Sequence, residues 1–505
     1  MEQYVKDTQA KKRLYGRQMI LSDYTVDEIN EKTIAEVLSD KFNIHEANIR
    51  EIDYLYDYYK GKQEILNKVK VVRENINHKV LENNAYFIVE FKKGYVFGDP
   101  IQYVQRGDVA NDEILVLNSY MTAENKQVKD SDLAEWLYIC GVAPRMVLAE
   151  KDNEESPFSI YDLDPRQSFI VYNNGLGNKP LFGVTYYTTD EGNKVGTVYT
   201  KDKVYSIKGD SAKFDVEYIA PHYLKRIPIF EYALNKSRLG LIEIVMALLD
   251  TLNSIDSNDM DAIDQFVQSL VVFVNNDVDA ETFKELMELG AVKVKTENPS
   301  TPADVKLLIN NLSHADTKVY YERIYNQMLT IVGIPSKNDK ASGGDTGQAR
   351  LLGEGWTMAD ERAKQDENAF KRTAREELKL ILDICRRTPA SGITNLKIKD
   401  VDIKFTRNKS DNLLVKAQAL LNLKQAQIAP DIAMTVSGLF SDPNETYYKS
   451  KEYFGDSLWK ETGKDINVNT NKNMETTDQG PRAKSASEDA SNEENKSSEN
   501  YDNKS

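Results

Sequence analysis

Two carboxylates stand where a metal site could form. Asp162 and Asp164 lie two residues apart at the end of a possible strand, which places both side chains on one face. Paired carboxylates of this kind bind divalent metals and support metal-dependent nuclease or transferase chemistry. No third acid or histidine is marked out nearby, and Pro165 follows directly. A turn before the proline is the favoured interpretation, and the metal enzyme is the alternative.

Other patterns for catalysis or cofactor binding are weak. The glycine-rich stretch 342–347 invites comparison with a phosphate-binding loop, but a long helix precedes it and no Gly-Lys-Ser or Gly-Lys-Thr follows. No Cys/His group has zinc spacing, and a Ser/His/Asp triad cannot be identified from spacing because geometry defines it. The four histidines are scattered at His45, His78, His222 and His314. The sequence therefore predicts no catalytic residues, no metal and no cofactor.

The most distinctive chemistry lies in a long helical segment from Leu239 to Asn275. It has no lysine or arginine, and its acids are Glu243, Asp250, Asp256, Asp259, Asp261 and Asp264. Apolar residues recur at helical spacing, namely Leu241, Ile244, Val245, Leu248, Leu249, Leu252 and Ile255. One face of this helix is expected to pack and the other to be anionic. The anionic face is either an ordinary solvated surface or a functional one.

Composition limits the class of protein. A chain of 505 residues is long enough for two or three structural units. Its formal charge of −15 argues against a protein that holds nucleic acid by neutralising phosphates. Two cysteines are too few for a disulfide framework. The chain has no signal-peptide pattern and no apolar run of about eighteen residues, so we expect no membrane association.

Local patterns predict an α+β protein. Residues 25–98 look mainly helical, with one helix expected from about Asn77 to Lys93, although its residues 86–91 could instead form a strand. Short β-rich runs separated by turn residues fill 144–227 and indicate an antiparallel sheet of hairpins. Further long helices are predicted at 315–332 and from about 348 to 387. A strand at 396–405 and a helix at 413–427 come next.

Two regions differ from this regular pattern. The segment 276–313, between the first two long helices, has mixed signals, with a short helix at 283–289 and a strand at 291–294. From about residue 464 the chain is rich in Asn, Ser, Glu, Asp and Lys and is expected to be disordered.

Several stretches together resemble the portal proteins of tailed bacteriophages, of the type found in siphophages and prophages of Gram-positive bacteria. The likeness covers about residues 45 to 450, and the order of helix, insert, helix, loop and long helix from 239 to 387 matches the family. The stretches that carry it are Asp57-Tyr58-Tyr59-Lys60-Gly61-Lys62, Asn77-His78, 94–103, Asp164 with 169–172, Arg226-Ile227-Pro228-Ile229, 235–240, Ser342-Gly343 and Gly355-Trp356.

The resemblance implies a portal-type subunit with an α/β wing, a long-helix stem, a small α/β clip and a helical crown. Residues 1–24 have no assignment. The remaining segments would be the wing (25–238 and 349–408), the stem helices (239–272 and 314–334), the clip (273–313), the tunnel loop (335–348), the crown (409–463) and a disordered acidic tail (464–505).

The resemblance also implies a ring of about twelve subunits at one capsid vertex of a virion, assembled in the host cytoplasm. Double-stranded DNA would pass through the ring, packaged by the terminase large subunit and later ejected. Scaffold or major capsid protein and a head-completion protein would be further partners. The alternative is an adaptor ring of the head or tail that does not conduct DNA.

A DNA channel gives the charged residues a physical interpretation. Phosphate affinity rises with every lysine or arginine offered, so an acidic stem face minimises adhesion of a sliding duplex. Lys337, Lys340 and Arg350, in or beside the tunnel loop, are expected to make transient phosphate contacts. Solvated loop charges are the alternative interpretation of these three residues.

Overall fold

The computed structural model describes residues 16–71, 74–106, 112–150, 155–267, 270–274, 281, 304–308, 314–336, 354–406, 413–440 and 443–455. These residues form an α+β fold, as predicted. The helices are α1 (Glu31–Tyr59), α2 (Asn84–Phe97), α3 (Glu113–Ala123), α4 (Lys126–Cys140), α5 (Leu241–Val267), α6 (His314–Val332), α7 (Glu354–Arg387), α8 (Leu413–Gln425), α9 (Pro430–Ser437) and α10 (Pro443–Phe454). The strands are β1 (Ile20–Ser22), β2 (Gln102–Gln105), β3 (Val142–Ala149), β4 (Phe158–Asp162), β5 (Ser168–Asn173), β6 (Pro180–Thr188), β7 (Lys194–Tyr199), β8 (Lys203–Gly209), β9 (Phe214–Pro221), β10 (Ile229–Ala233), β11 (Leu270–Val274), β12 (Asp304–Leu308) and β13 (Val401–Lys404).

A six-stranded sheet contains most of the predicted hairpins. Its order is β1-β5-β6-β7-β8-β9, and the strands from β5 onward pair antiparallel with their neighbours in sequence. β1 pairs parallel with β5, so part of the unassigned segment 1–24 contributes an edge strand. The first half of α1 covers one face of the sheet through buried Ile34, Leu38 and Phe42.

A second, larger core forms around the sheet β10-β3-β4, which is antiparallel. Buried residues of α2, α4, α5 and α7 share this core. β2 pairs with β13, which joins residues near 100 to residues near 400. β11 pairs antiparallel with β12 within the insert, whereas the predicted elements at 283–289 and 291–294 lie outside the described residues, as does the tail from 464.

Two helix boundaries differ from the sequence prediction for physical reasons. Residues 86–91, for which the sequence left helix and strand open, are part of the helix α2. This helix begins at Asn84 and not near Asn77 as predicted. The Asn83 side chain accepts a hydrogen bond from the Tyr86 amide and caps the helix. The residues just before Asn83 have an extended conformation and lie along α5. α5 ends at Val267, before the predicted end at 275, and the chain continues into β11.

A buried ion network joins α4, β3, β4 and α7. Its members are Lys126, Asp130, Arg145, Asp162 and Glu377. The Arg145 guanidinium is fully buried and donates to Asp162 at 2.7 Å and to Asp130 at 2.5 Å. Burial alone would lower the pKa of Lys126, but attraction to Asp130 and Glu377 outweighs it and raises that pKa, so the ammonium stays charged.

His45 is a core residue between α1 and the six-stranded sheet. Its Nε2 lies 3.1 Å from the Tyr186 hydroxyl, and its ring centroid lies 4.2 Å from that of Phe169. Burial lowers the pKa of His45 to about 3. The imidazole is therefore neutral in the folded protein at neutral pH.

This burial predicts a pH dependence of stability. In the unfolded chain the pKa returns to about 6.5, so between pH 3 and 6.5 the unfolded state binds the extra proton. Stability therefore falls as pH decreases through that window, and His45 should account for roughly 2 kcal/mol of loss between pH 7 and 5. Urea unfolding of the wild type and of His45→Phe at pH 7 and pH 5 measures this loss of unfolding free energy.

The His45→Phe variant should lose less stability on acidification than the wild type. Phe214→Leu, a substitution in the same core, is the control and should keep the wild-type pH dependence. Equal losses in wild type and His45→Phe would contradict the assignment.

Candidate functional site

The candidate site is the pair of long helices α5 and α6, which pack against each other. α5 contributes buried Ile242, Val245 and Leu249 to the main core, and α6 contributes Met328 and Leu329. α6 ends at Val332, and the described chain continues only to Ser336 before the segment 337–353. This helix pair therefore leads directly to the position predicted for the tunnel loop.

The start of α5 is fixed by a close backbone crossing. Gly16 and Gly141 both have φ of +82°, and each lies against the residues just before α5. A Cβ at Gly16 would lie 1.9 Å from the Ser237 carbonyl oxygen, and one at Gly141 would lie 2.4 Å from that of Arg238. Both positions therefore require glycine, because a side chain would clash with backbone and the conformation is left-handed.

The first two acids of α5 connect the helix to other parts of the subunit. Glu243 and Arg17 form an ion pair at 2.9 Å, with side chains only 2% and 1% exposed. Asp250 accepts a hydrogen bond of 2.8 Å from the Tyr58 hydroxyl on α1. These contacts bind α5 to the N-terminal segment and to α1.

Asp261 is the most densely paired acid of the helix. Its Oδ1 accepts from the His78 amide at 2.7 Å, and its Oδ2 lies 2.9 Å from Lys68 Nζ and 3.2 Å from Lys70 Nζ. Its side chain is 4% exposed. Burial raises the pKa of Asp261, but the hydrogen bonds from His78, Lys68 and Lys70 outweigh burial and hold that pKa well below its usual range.

A segment that begins with a 3-10 helix at Glu64–Asn67 and is extended at 78–82 lies along α5 at this point. We call residues 62–71 and 74–83 the strap. Besides the His78 amide on Asp261, the Val80 amide donates to Ser257 Oγ at 3.0 Å, and the Glu82 amide donates to Asn253 Oδ1 at 2.9 Å. Two residues of extended chain rise about 6.6 Å and four residues of helix rise about 6 Å, so the repeats nearly match. Alternate amides of the strap therefore meet acceptors on successive turns of α5.

The remaining acids are partly exposed. Burial, together with the charges of Glu82 and Asp259, raises the pKa of Asp256 to about 6. Tyr321 on α6 donates a hydrogen bond to Glu82 beside it. Asp264 Oδ2 lies 3.3 Å from His78 Nε2, and its side chain is 43% exposed. Asp259 is half-buried.

The predicted anionic face of α5 needs correction. Between residues 241 and 264, the exposed residues are Ile244, Ala247, Thr251, Ser254, Asn258, Met260 and Ile263, and none of these is charged. Glu243 and Asp261 are buried in ion pairs within the subunit. The periodicity of the helix correctly predicted Leu241, Val245, Leu249 and Leu252 as packing residues but was wrong for Ile244, which is exposed. It could not reveal that cations from distant segments neutralise Glu243 and Asp261.

The other candidate residues are the three predicted loop cations and the carboxylates Asp162 and Asp164. Lys337, Lys340 and Arg350 lie outside the described residues. Asp162 accepts from Arg145, and Asp164 accepts from Arg166 Nε at 2.9 Å. An arginine on each carboxylate repels a metal ion, which disfavours the metal-enzyme alternative. Over the described part of the chain, no three His, Cys, Asp or Glu side chains are grouped to hold a metal.

No helix among the described residues has the length and apolar content that a bilayer span requires.

Sequence reasoning did not find the partners of the α5 acids. The sequence does contain a signal for the strap. Lysine and valine alternate in Lys68-Val69-Lys70-Val71, and this period of two is typical of extended chain. No local signal identifies Arg17, since its partner Glu243 is 226 residues away.

Replacing Asp261 should release the strap. In Asp261→Ala, Lys68 and Lys70 lose their common acceptor and the His78 amide loses its partner, so we expect a loss of about 2 kcal/mol in unfolding free energy. Hydrogen exchange should also accelerate at the amides of residues 78–82. Urea unfolding and hydrogen–deuterium exchange measure the two effects. Asp264→Asn, at the exposed neighbouring acid, should change stability by less than about 0.5 kcal/mol. Unchanged exchange at 78–82 in Asp261→Ala would refute the ladder.

Comparison with known proteins identifies relatives over most of the chain. The family described as "Phage portal protein, SPP1 Gp6-like" matches residues 38–453. The portal protein of Bacillus phage SPP1 is 21% identical over 324 residues, which cover 59% of this chain and 62% of that protein. The chain thus matches about three fifths of the length of this relative.

Solved structures with similarity to the chain come from gene transfer agent particles. The neck of an empty particle, computed with C6 symmetry, includes a chain that is 12% identical with a TM-score of 0.42, covering 71% of this chain and 90% of its own. A chain from the virion of a native particle is 12% identical with a TM-score of 0.37, over 70% of this chain and 89% of its own. The match over residues 38–453 includes both long helices, the six-stranded sheet from β5 onward and α7, and the chain therefore belongs to the SPP1 Gp6-like family of phage portal proteins.

Proposed function

We propose that this protein assembles into a homo-oligomeric ring, a dodecamer, that forms the portal at one vertex of a capsid. Double-stranded DNA passes through the ring during packaging by the terminase large subunit and during ejection. The ring also contacts scaffold or major capsid protein, and later a head-completion protein. Assembly takes place in the host cytoplasm, and the protein has no catalytic activity of its own. The observation that carries this proposal is the family match over residues 38–453.

The charge of α5 supports passage of DNA without adhesion. The 27 residues of α5 contain six acids and no lysine or arginine. Each lysine or arginine that meets a phosphate releases counterions and adds affinity, so a helix without these residues adds none. The partly exposed acids Asp250, Asp256, Asp259 and Asp264 remain candidates for surfaces that repel the duplex. Glu243 and Asp261 are not candidates, because their charges are paired inside the subunit.

The division of the subunit follows from the same proposal. α5 and α6, within residues 239–272 and 314–334, form the stem, and residues 273–313 between them form the clip. Residues 25–238 and 349–408 form the wing, where β13 pairs with β2 and α7 packs on β10. Residues 409–463 form the crown, with α8, α9 and α10. The loop 335–348 follows α6 and is proposed as the tunnel loop.

The size and shape of the purified protein test the proposal. Twelve copies of 57.5 kDa amount to about 690 kDa. Native mass spectrometry should give a closed ring near this mass, and electron microscopy of the same sample should show a central hole wide enough for a duplex of about 20 Å, whose major groove alone is about 12 Å wide. A ring whose narrowest opening is much smaller than a duplex would favour the adaptor that does not conduct DNA.

Lys337, Lys340 and Arg350 are proposed to make transient phosphate contacts in the channel. Replacing Lys337 and Lys340 together by alanine should lower the yield of packaged DNA, because two of the few cations offered to the passing phosphates are lost. Nuclease-protected DNA per assembled particle measures the effect. Lys318→Ala, at an exposed lysine of α6 near Glu322, is the matched control and should package normally. Normal packaging by the Lys337 and Lys340 variant, in rings of unchanged mass, would refute this role.

A further inference from the structure

The strap presents an apolar edge to solvent. Lys68 and Lys70 turn toward Asp261 on α5, and the alternating residues Val69 and Val71 point the other way. Val69 is 85% exposed and Val71 is 81% exposed, and Leu66 in the preceding turn is 40% exposed. We call these three residues the strap ridge.

The strap ridge is held in place. Lys68 and Lys70 pair with Asp261, Lys68 also donates to Asn258, and Lys79 donates to the Leu66 carbonyl, so residues 66–70 are fixed against α5 and against the second half of the strap. An exposed pair of β-branched residues on a fixed extended segment is a typical interaction surface, because solvated strand edges are otherwise protected by charge or by a cover.

α5 offers a second unoccupied surface to solvent. We call its exposed, uncharged residues Ile244, Ala247, Thr251, Ser254 and Asn258 the free face. They recur at intervals of three and four, so they form one stripe along the helix. The strap covers a different side, at positions 253, 257 and 261, and reaches the edge of the stripe where Lys68 donates to Asn258.

Ring closure favours contact between these two surfaces over contact of either with itself. The lysines of the ridge half of the strap are already paired inside the subunit, Lys62 with Asp57 and both Lys68 and Lys70 with Asp261, so charge does not decide between the possible contacts. Two straps that meet each other, or two α5 helices, form a two-fold contact that ends at a dimer, whereas a strap that meets α5 forms a contact that can continue around a ring.

We infer that the strap ridge of one copy packs on the free face of α5 in the next copy. The inference rests on the proposed ring, and it specifies which surfaces close the ring. Two different surfaces of one subunit meet in such a contact, which is therefore head-to-tail and can close into a ring. The strap then has two roles: its amides and lysines hold α5 of its own subunit, and its valines hold α5 of the neighbour.

Cysteine cross-linking tests this contact directly. The two native cysteines, Cys140 and Cys385, are buried, so introduced cysteines are the reactive ones. Val71→Cys is mixed and assembled with Ile244→Cys, Thr251→Cys or Asn258→Cys, which are spaced two turns apart along the free face. Under mild oxidation, at least one mixture should give a covalent dimer that neither variant forms alone, since a disulfide requires Cβ atoms within about 4.5 Å.

The outcomes separate this inference from the proposed function. Rings of the expected mass that give no cross-link in any mixture would overturn the inference and leave the ring intact. A cross-linked dimer of Val71→Cys alone would show a strap-to-strap contact and would also overturn it. A sample without rings on native mass spectrometry would refute the proposed function, and the inference would fall with it.

A charge variant gives a second measurement. Val69→Asp with Val71→Asp should raise the protein concentration needed for half-maximal assembly by at least about tenfold, because the contact would bury two carboxylates in place of two valines. Leu176→Asp, at a fully exposed leucine in the turn between β5 and β6, is the matched control and should assemble as the wild type does. At protein concentrations below those at which rings form, the denaturant midpoint of the strap variant should equal the wild-type value, because both valines are exposed in the single subunit. Wild-type assembly by the strap variant would overturn the inference.

Discussion

The buried guanidinium of Arg145 is the interaction on which the larger core depends. It lies on β3 with no exposed surface, and its partners come from α4, the end of β4 and α7. Tyr232 on β10 adds a hydrogen bond to Glu377 of the same group. A charge buried this completely is tolerated only when it is paired, and removing one partner from such a group typically costs about 3–5 kcal/mol. The network therefore fixes where α7, which is more than 200 residues further along the chain, packs against the first half of the subunit.

The same physical rule governs α5. Six acids on one helix would repel one another if they all faced solvent. Instead Glu243 is paired with Arg17, Asp250 with Tyr58, and Asp261 with the strap. Glu243 and Asp261 join α5 to the N-terminal segment and to the strap, and Asp250 adds a hydrogen bond to Tyr58, a buried core residue of α1. The acids of α5 therefore position the long helix relative to the wing, and they do so at its start, middle and end.

Structural features that depend on residues close together in the sequence could be predicted. The hairpins of the six-stranded sheet and the helices α5, α6 and α7 were predicted because periodicity and turn residues are local signals. The pairing of β1 with β5, the partners of Arg145 and the strap were not predicted, since each depends on contacts over long sequence separations. His78 and Asp261, for example, are 183 residues apart. For the site, the sequence predicted α5 as a long helix, but the orientation of its acids depends on lysines and an arginine that only the folded chain brings near.

Pairing of the α5 acids weakens the repulsion between this helix and DNA in the proposed channel. An acid that is paired inside the subunit contributes little field at a distance, because its charge is cancelled within a few ångströms. Repulsion by α5 is therefore smaller than a count of six acids suggests. The absence of lysine and arginine from α5 is unaffected by pairing, so in the proposed channel this helix adds no side-chain contact of its own that would hold phosphates. Under the proposed function, α5 therefore limits adhesion of the duplex chiefly by offering no cation of its own, while its paired acids hold the fold together.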